Sequence, residues 1–111
     1  LLYPERMECP VKRLSLTDYG TLTFAKPDYE TFKCLTAGIN AIKKGGAYPC
    51  LVNSANEEAV SLFLNGKIKF LEIGEIVSSV LEKFPYAEIN SYDDVVKADK
   101  SAREYVKEYL N

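Results

Sequence analysis

The chain of 111 residues contains no histidine. Histidine is the commonest general base near neutral pH and a frequent metal ligand, so its absence excludes every histidine-based triad and metal motif. Three cysteines are present, but none forms a C-x-x-C pair, and we expect reduced, mostly packed thiols rather than a zinc site or a disulfide framework. The sequence also has no G-x-G-x-x-G loop, so we expect no dinucleotide site within this chain.

A surplus of charge of one sign is also missing. The chain has 14 basic and 16 acidic residues, and its net charge of -2 provides no field that would attract nucleic acid or an anionic membrane. No apolar run approaches the roughly 20 residues that span a bilayer. With 47% hydrophobic and 27% charged residues, we expect one soluble, cytoplasmic domain with a single modest core. The first residue is leucine rather than methionine, so we expect a fragment of a longer polypeptide.

Residues 1–28 form an arm that differs in texture from the rest, because three of the five prolines lie here and short apolar alternations replace helical spacing. Leu14 and Leu16 alternate with polar residues, and so do Leu22 and Phe24. This pattern predicts one or two short strands. Since an unpaired apolar strand edge invites pairing, we expect this arm to join a sheet elsewhere or the arm of a second copy.

Residues 29–111 show the spacing of helices and predict a mainly α domain, a small bundle of about four helices. Asp28 or Thr31 can cap the first helix. The predicted core stripes of the four helices are Phe32, Leu35, Ile39 and Ile42; Val52, Ala55, Ala59, Val60 and Phe63; Ile73, Ile76, Val77, Val80, Leu81 and Phe84; and Val95, Ala98, Ala102, Val106 and Tyr109 or Leu110. Glycines at 45 and 46 end the first helix, and Ser91 with Asp94 predicts the cap of the last. Gly38 is unfavourable inside a helix, so we expect it to allow a close helix contact.

Asn53, Asn56 and Glu57 lie at i, i+3 and i+4 and therefore share one side of the second helix. Two amides and a carboxylate are unusual on a face that needs only a core stripe. They could tie this helix to neighbouring loops or to a partner domain, or they could contact a ligand directly. We favour the tether, because nothing nearby in the sequence supplies a cation, a base or a phosphate-binding loop.

Five short segments follow one another along the chain. They are Tyr3-Pro4-Glu5-Arg6, Leu22-Thr23-Phe24-Ala25-Lys26-Pro27-Asp28, Phe32-Lys33-Cys34-Leu35, Asn53-Ser54-Ala55-Asn56-Glu57 and Gly66-Lys67-Ile68-Lys69-Phe70-Leu71-Glu72-Ile73. In this order and at these separations, the chain resembles the C-terminal part of the 1-deoxy-D-xylulose 5-phosphate reductoisomerase family.

The resemblance implies a parent enzyme with an NADPH domain, a central catalytic domain that holds a divalent metal (Mg or Mn) and the substrate, and a C-terminal helical domain. Such an enzyme isomerises and reduces 1-deoxy-D-xylulose 5-phosphate to 2-C-methyl-D-erythritol 4-phosphate in the non-mevalonate isoprenoid pathway. The family's catalytic, metal-binding and substrate-binding residues all precede the matched region, so none is carried over to this chain.

The resemblance therefore predicts a scaffolding domain that is inactive alone, supports the catalytic domain and belongs to a homodimer. A stand-alone helical interaction module is the alternative. In that case the eight tyrosines and the Asn53 face would bind another protein.

Overall fold

The computed structural model describes residues 8–110, and most of this part of the chain is helical. A single helical turn, α1 (Leu16–Tyr19), precedes four longer helices, α2 (Lys33–Lys44), α3 (Tyr48–Leu64), α4 (Phe70–Lys83) and α5 (Tyr92–Tyr109). The prediction of a mainly α fold with a bundle of about four helices is confirmed. Within residues 8–110, no helix combines the length and the apolar character that crossing a membrane requires.

Helix α3 is the central element of the bundle and packs against α2, α4 and α5. The predicted stripe of α4 forms much of the core, since Ile76, Val77 and Val80 are at most 1% exposed. Between α3 and α5 the buried positions are small, with Ala55, Ala59, Ala98 and Ala102 among them. Small side chains let two helix backbones approach closely, which fixes α5 firmly against α3.

The turn between α2 and α3 is fastened to the loop between α4 and α5. Gly46 has a φ of 57°, and a side chain there would overlap the carbonyl oxygen of Ala87 and the ring of Tyr86. The backbone N–H of Ala47 donates to that same carbonyl at 2.8 Å. The hydroxyl of Tyr48 donates to the carbonyl oxygen of Phe84, also at 2.8 Å. Two connections that are far apart in sequence are thereby held together at one end of the bundle.

The start of α5 has the cap that the sequence predicted. The side chain of Ser91 accepts a hydrogen bond from the backbone N–H of Asp94 at 3.3 Å, and the Asp94 carboxylate accepts one from the backbone N–H of Asn90 at 3.0 Å. The hydrogen bond from Asn90 is the main reason that the pKa of Asp94 is lowered. The local sequence thus fixes where α5 begins.

The prediction that the apolar stripe of the first helix faces the core was wrong. Leu35 and Ile39 are 43% and 37% exposed, and Phe32 and Ile42 are more so. The face that packs inward carries Ala37 and Ala41 instead. Small residues pack inward here because α2 lies close to its neighbours. At Gly74 on α4, an added Cβ would lie only 3.0 Å from the Cβ of Lys33 on α2.

Neither candidate cap makes a side-chain hydrogen bond to the start of α2. Phe32 occupies the N-cap position instead. Asp28 accepts a hydrogen bond from the backbone N–H of Thr31 at 3.1 Å, in the turn that precedes the helix.

The arm packs against nothing in the described part of the chain. From residue 8 to residue 32 every residue is exposed except Ser15, which is half-buried. The strands expected in the arm are not present among residues 8–110, and Leu16 begins the short helix α1. A strand is stable only when another strand accepts and donates its hydrogen bonds, and the bundle has no sheet to offer. The Tyr3-Pro4-Glu5-Arg6 segment lies outside the described residues.

Candidate functional site

The three residues singled out on the second predicted helix lie on α3, but the structure separates their roles. Asn53 is exposed, Asn56 is half-buried and Glu57 is exposed. Asn53 and Asn56 line a groove between α2 and α3. Glu57 points the other way and reaches α5. The group is therefore better described as two amides beside a groove and one carboxylate in an ion cluster.

Arg103 on α5 is the centre of that ion cluster. Its Nη2 lies 2.6 Å from Glu57 Oε2, its Nε donates to Asp99 Oδ1 at 3.0 Å, and its Nη1 lies 3.6 Å from Glu58 Oε2. The hydrogen bonds to Glu57 and then to Asp99 raise the pKa of Arg103. One guanidinium thus pairs with three carboxylates, two on α3 and one on α5. The cluster therefore joins the two helices, and each of these acids already has a cationic partner.

Ser54 extends the cluster into the bundle. It is the buried polar residue of α3, only 2% exposed, and its hydroxyl donates to Asp99 Oδ1 at 2.5 Å. This hydrogen bond, followed by that from Arg103, lowers the pKa of Asp99. Sequence spacing did not indicate this role for Ser54, Asp99 or Arg103. The spacing of Asp99 and Arg103 at i and i+4 was the available signal, but such pairs are common on solvated helix faces.

The groove between α2 and α3 has a mixed lining. Its residues are Cys34, Gly38, Ala41, Ile42, Pro49, Val52, Asn53, Asn56 and Val77. The Cys34 thiol lies 3.9 Å from Asn56 Oδ1, and burial raises the pKa of this thiol. A thiol with a raised pKa stays protonated and is a poor nucleophile. The groove therefore offers hydrogen bonding and apolar contact rather than covalent chemistry.

A second, more apolar groove lies on the other side of Asn56. It is lined by Phe32, Lys33, Cys34, Val60, Phe70 and Leu71, among others. The rings of Phe63 and Phe70 meet edge to face at 5.6 Å beside it. Asn56 and Cys34 belong to both grooves, so the two form one surface around α2.

Metal binding has no support in the described residues. Between residues 8 and 110, no group of three or more histidine, cysteine, aspartate or glutamate side chains could hold a metal ion. The acids that do cluster, Glu57, Glu58 and Asp99, already surround Arg103. The described residues thus provide no ready-made set of metal ligands.

The arm residues proposed as a pairing edge are strongly exposed. Leu14 and Leu16 are each 71% exposed, Leu22 is 65% exposed and Phe24 is 91% exposed. Several tyrosines are used inside the bundle instead: Tyr48 packs near Tyr86, and Tyr105 meets Phe84 edge to face at 5.5 Å. Exposed apolar side chains are thus numerous on the arm, and α2, α4 and α5 each carry some as well.

Residues 1–105 match the family described as DXP reductoisomerase C-terminal domain. The 1-deoxy-D-xylulose 5-phosphate reductoisomerase of Cupriavidus pinatubonensis is 44% identical over 110 residues, which are 99% of this chain and 28% of that protein. The enzyme of the same name from Clostridium tetani is also 44% identical, over 100% of this chain and 29% of its own length.

A solved structure, 1-deoxy-D-xylulose 5-phosphate reductoisomerase from Zymomonas mobilis in complex with NADPH, is similar with a TM-score of 0.86 and 40% sequence identity. The similarity covers 98% of this chain and 29% of that one. The chain thus spans less than a third of the length of each of these relatives.

Proposed function

This chain belongs to the family of DXP reductoisomerase C-terminal domains, and from that premise we propose that it is the structural C-terminal domain of a 1-deoxy-D-xylulose 5-phosphate reductoisomerase. The observation that carries the proposal is 44% identity over nearly the whole chain to enzymes of that name, of which it spans 28% to 29%. In the parent enzyme, the domain supports the catalytic part and supplies no catalytic residue.

The chemistry of the parent is proposed from its relatives. The related structure from Zymomonas mobilis was solved in complex with NADPH, which supports NADPH as the reductant of 1-deoxy-D-xylulose 5-phosphate. A divalent metal, Mg or Mn, is expected from the family resemblance. Since residues 8–110 offer no group of three or more metal-ligating side chains, we do not assign the metal site to this domain.

Two of the three candidate residues suit a tether to the catalytic part. Asn53 is exposed beside the groove, and Asn56 contacts only the weak thiol donor of Cys34 among the hydrogen bonds found within residues 8–110. Their amides are free to pair with backbone groups of a docked segment, which amides do well. Glu57 acts within the bundle instead, because it is bound to Arg103.

Homodimer formation and a cytoplasmic location stay predictions. The exposure of the apolar side chains of Leu14, Leu16, Leu22 and Phe24 supports contact of the arm with a sheet or with a second copy. Light scattering on the full-length enzyme tests the dimer, and a monomer at high concentration would count against it. The alternative, a stand-alone interaction module, has no specific observation in its favour.

Activity measurements on two polypeptides test the function. The full-length polypeptide that contains this sequence should oxidise NADPH when 1-deoxy-D-xylulose 5-phosphate and Mg²⁺ are present, and the 111-residue chain alone should not. In the full-length enzyme, replacing both amides (Asn53→Ala with Asn56→Ala) should lower turnover, while Lys100→Ala on exposed α5 should leave it unchanged. Turnover by the isolated chain, or full activity after the whole domain is deleted, would contradict the proposal.

A further inference from the structure

We propose that the outer face of α2, formed by Phe32, Leu35, Ile39 and Ile42, is the docking surface for the catalytic part of the parent polypeptide. The groove between α2 and α3 completes this surface. The inference rests on the proposed function and specifies it, because it names the helix through which the domain gives its support.

The outer face is a continuous apolar seam. Its four residues recur at intervals of three, four and three, so they line one side of the helix. Ile42 is 75% exposed and Phe32 is 53% exposed. Scattered exposed hydrophobic residues are ordinary, but a continuous apolar patch on a folded domain marks an interaction site. The seam also meets the apolar groove that holds Phe70 and Leu71, which are themselves more than half exposed.

Gly38 gives an independent sign that something approaches α2 closely. It lies in the middle of the helix, where glycine is the least favourable residue apart from proline. A Cβ at this position would meet nothing within 4 Å. The expected close contact with another helix of the bundle is therefore absent from the described part of the chain. The space beside Gly38 opens into the groove of Asn53 and Asn56, where a docked backbone would need it.

The charges around the seam favour the parent polypeptide over a second copy of this domain. Every charged residue of α2 is basic: Lys33, Lys43 and Lys44. An antiparallel pair of α2 helices would place Lys33 of one copy near Lys43 and Lys44 of the other, and a parallel pair would place identical lysines together. Like charges across an interface are unfavourable. The seam therefore fits a partner surface that is apolar at its centre and acidic at its rim.

The length of the related enzymes indicates which segment could occupy the docking surface. This chain accounts for 28% to 29% of the reductoisomerases that it matches. More than two thirds of such a polypeptide lies outside the structure and is covalently joined to this domain. Because that portion is joined to this domain in the proposed parent, we commit to it as the occupant, with backbone groups facing Asn53 and Asn56.

A single substitution gives opposite results in the two settings. In the isolated 111-residue chain, Gly38→Ala should raise Tm by about 4 °C, because alanine favours the helix and the space is open. In the full-length enzyme the same methyl group should enter the docked segment, so that Tm does not rise and turnover falls severalfold. Asn40→Ala is the matched control on the lysine side of α2, and it should leave turnover unchanged. An equal rise in Tm in both proteins with unchanged turnover would overturn the inference, and so would a fall in the isolated chain.

Side-chain oxidation by hydroxyl radicals tests the surface without a substitution. Phe32, Ile39 and Ile42 should oxidise severalfold more slowly in the full-length enzyme than in the isolated chain, whereas Tyr92 and Val96 on α5 should not change. Equal oxidation in an active full-length enzyme would overturn the inference and leave the proposed function standing. Protection that appears with concentration in the isolated chain, at the same residues, would assign the face to a second copy and would also overturn it.

Discussion

Replacing Gly46 by alanine should be among the most damaging single-methyl additions to this bundle. The glycine has a φ of 57°, and its neighbours are the carbonyl oxygen of Ala87 and a ring carbon of Tyr86 at 2.7 Å from where a Cβ would lie. The new methyl group therefore meets a backbone atom on one side and an aromatic ring on the other. The carbonyl oxygen cannot move without disturbing the loop between α4 and α5, and the ring cannot move without disturbing its contact with Tyr48.

The expected cost is the sum of three effects. A side chain at this positive φ costs about 1 kcal/mol. Displacing Ala87 weakens the 2.8 Å hydrogen bond from Ala47, which contributes about 1 kcal/mol. Moving Tyr86 disturbs its contact with Tyr48, whose ring lies 6.3 Å away, for a further loss of about 1 kcal/mol. Gly46→Ala should thus reduce the free energy of unfolding by about 3 kcal/mol.

Gly66→Ala provides the matched control. Gly66 has a φ of 73°, but a Cβ there would meet nothing within 4 Å. The Gly66→Ala variant should lose only about 1 kcal/mol of free energy of unfolding, which is the cost of a side chain at a positive φ. Urea unfolding of the 111-residue chain, followed by circular dichroism, measures both values, and the m-value should stay constant. If Gly46→Ala costs no more free energy of unfolding than Gly66→Ala, the contacts between the two loops do not contribute to the stability of the bundle.

Three further predictions concern the core, one hydrogen bond and acid stability. Ile76 is 0% exposed, so Ile76→Ala should reduce the free energy of unfolding of the isolated chain in urea by about 3 kcal/mol. Ile42 is 75% exposed, so Ile42→Ala should change this free energy little. Equal reductions for the two variants would contradict the assigned core. Tyr48→Phe should reduce the free energy of unfolding by about 1 kcal/mol, because the carbonyl oxygen of Phe84 loses its hydroxyl donor. An unchanged midpoint of urea unfolding would argue against that hydrogen bond. The pKa of Asp99 is lowered from 3.8 in the folded chain, so its stabilising effect is complete above that value and is lost as the pH falls through the lower folded value. Asp99→Asn should therefore make stability depend less steeply on pH below about pH 4, and a parallel pH profile would refute this.

The sequence was sufficient to predict the structure where a local pattern was compatible with only one arrangement. The stripe of α4 has apolar residues at every core position, and Ile76 and Val80 are accordingly buried. The Ser91 cap depends on residues within one turn, so its geometry was readable from local spacing. In both cases the interactions that decide the structure lie within the predicted element or on one face of it.

Prediction failed where the outcome depends on which neighbour a face meets. On α2 the larger residues Leu35 and Ile39 form the more hydrophobic face, yet Ala37 and Ala41 pack inward because their size permits close helix packing. Periodicity identifies an apolar face but does not say whether it meets the same bundle or another part of the protein. The role of Arg103 was missed for a similar reason, since its partner Glu57 is 46 residues away in sequence.

The extended arm affects how strong the docking contacts need to be. Because residues 8–28 are almost wholly exposed, they act in the proposed parent as a leash between the helices and the remaining polypeptide. A leash makes association intramolecular and sets an effective concentration of about millimolar. Contacts too weak to hold two separate molecules together are then enough to keep the bundle seated.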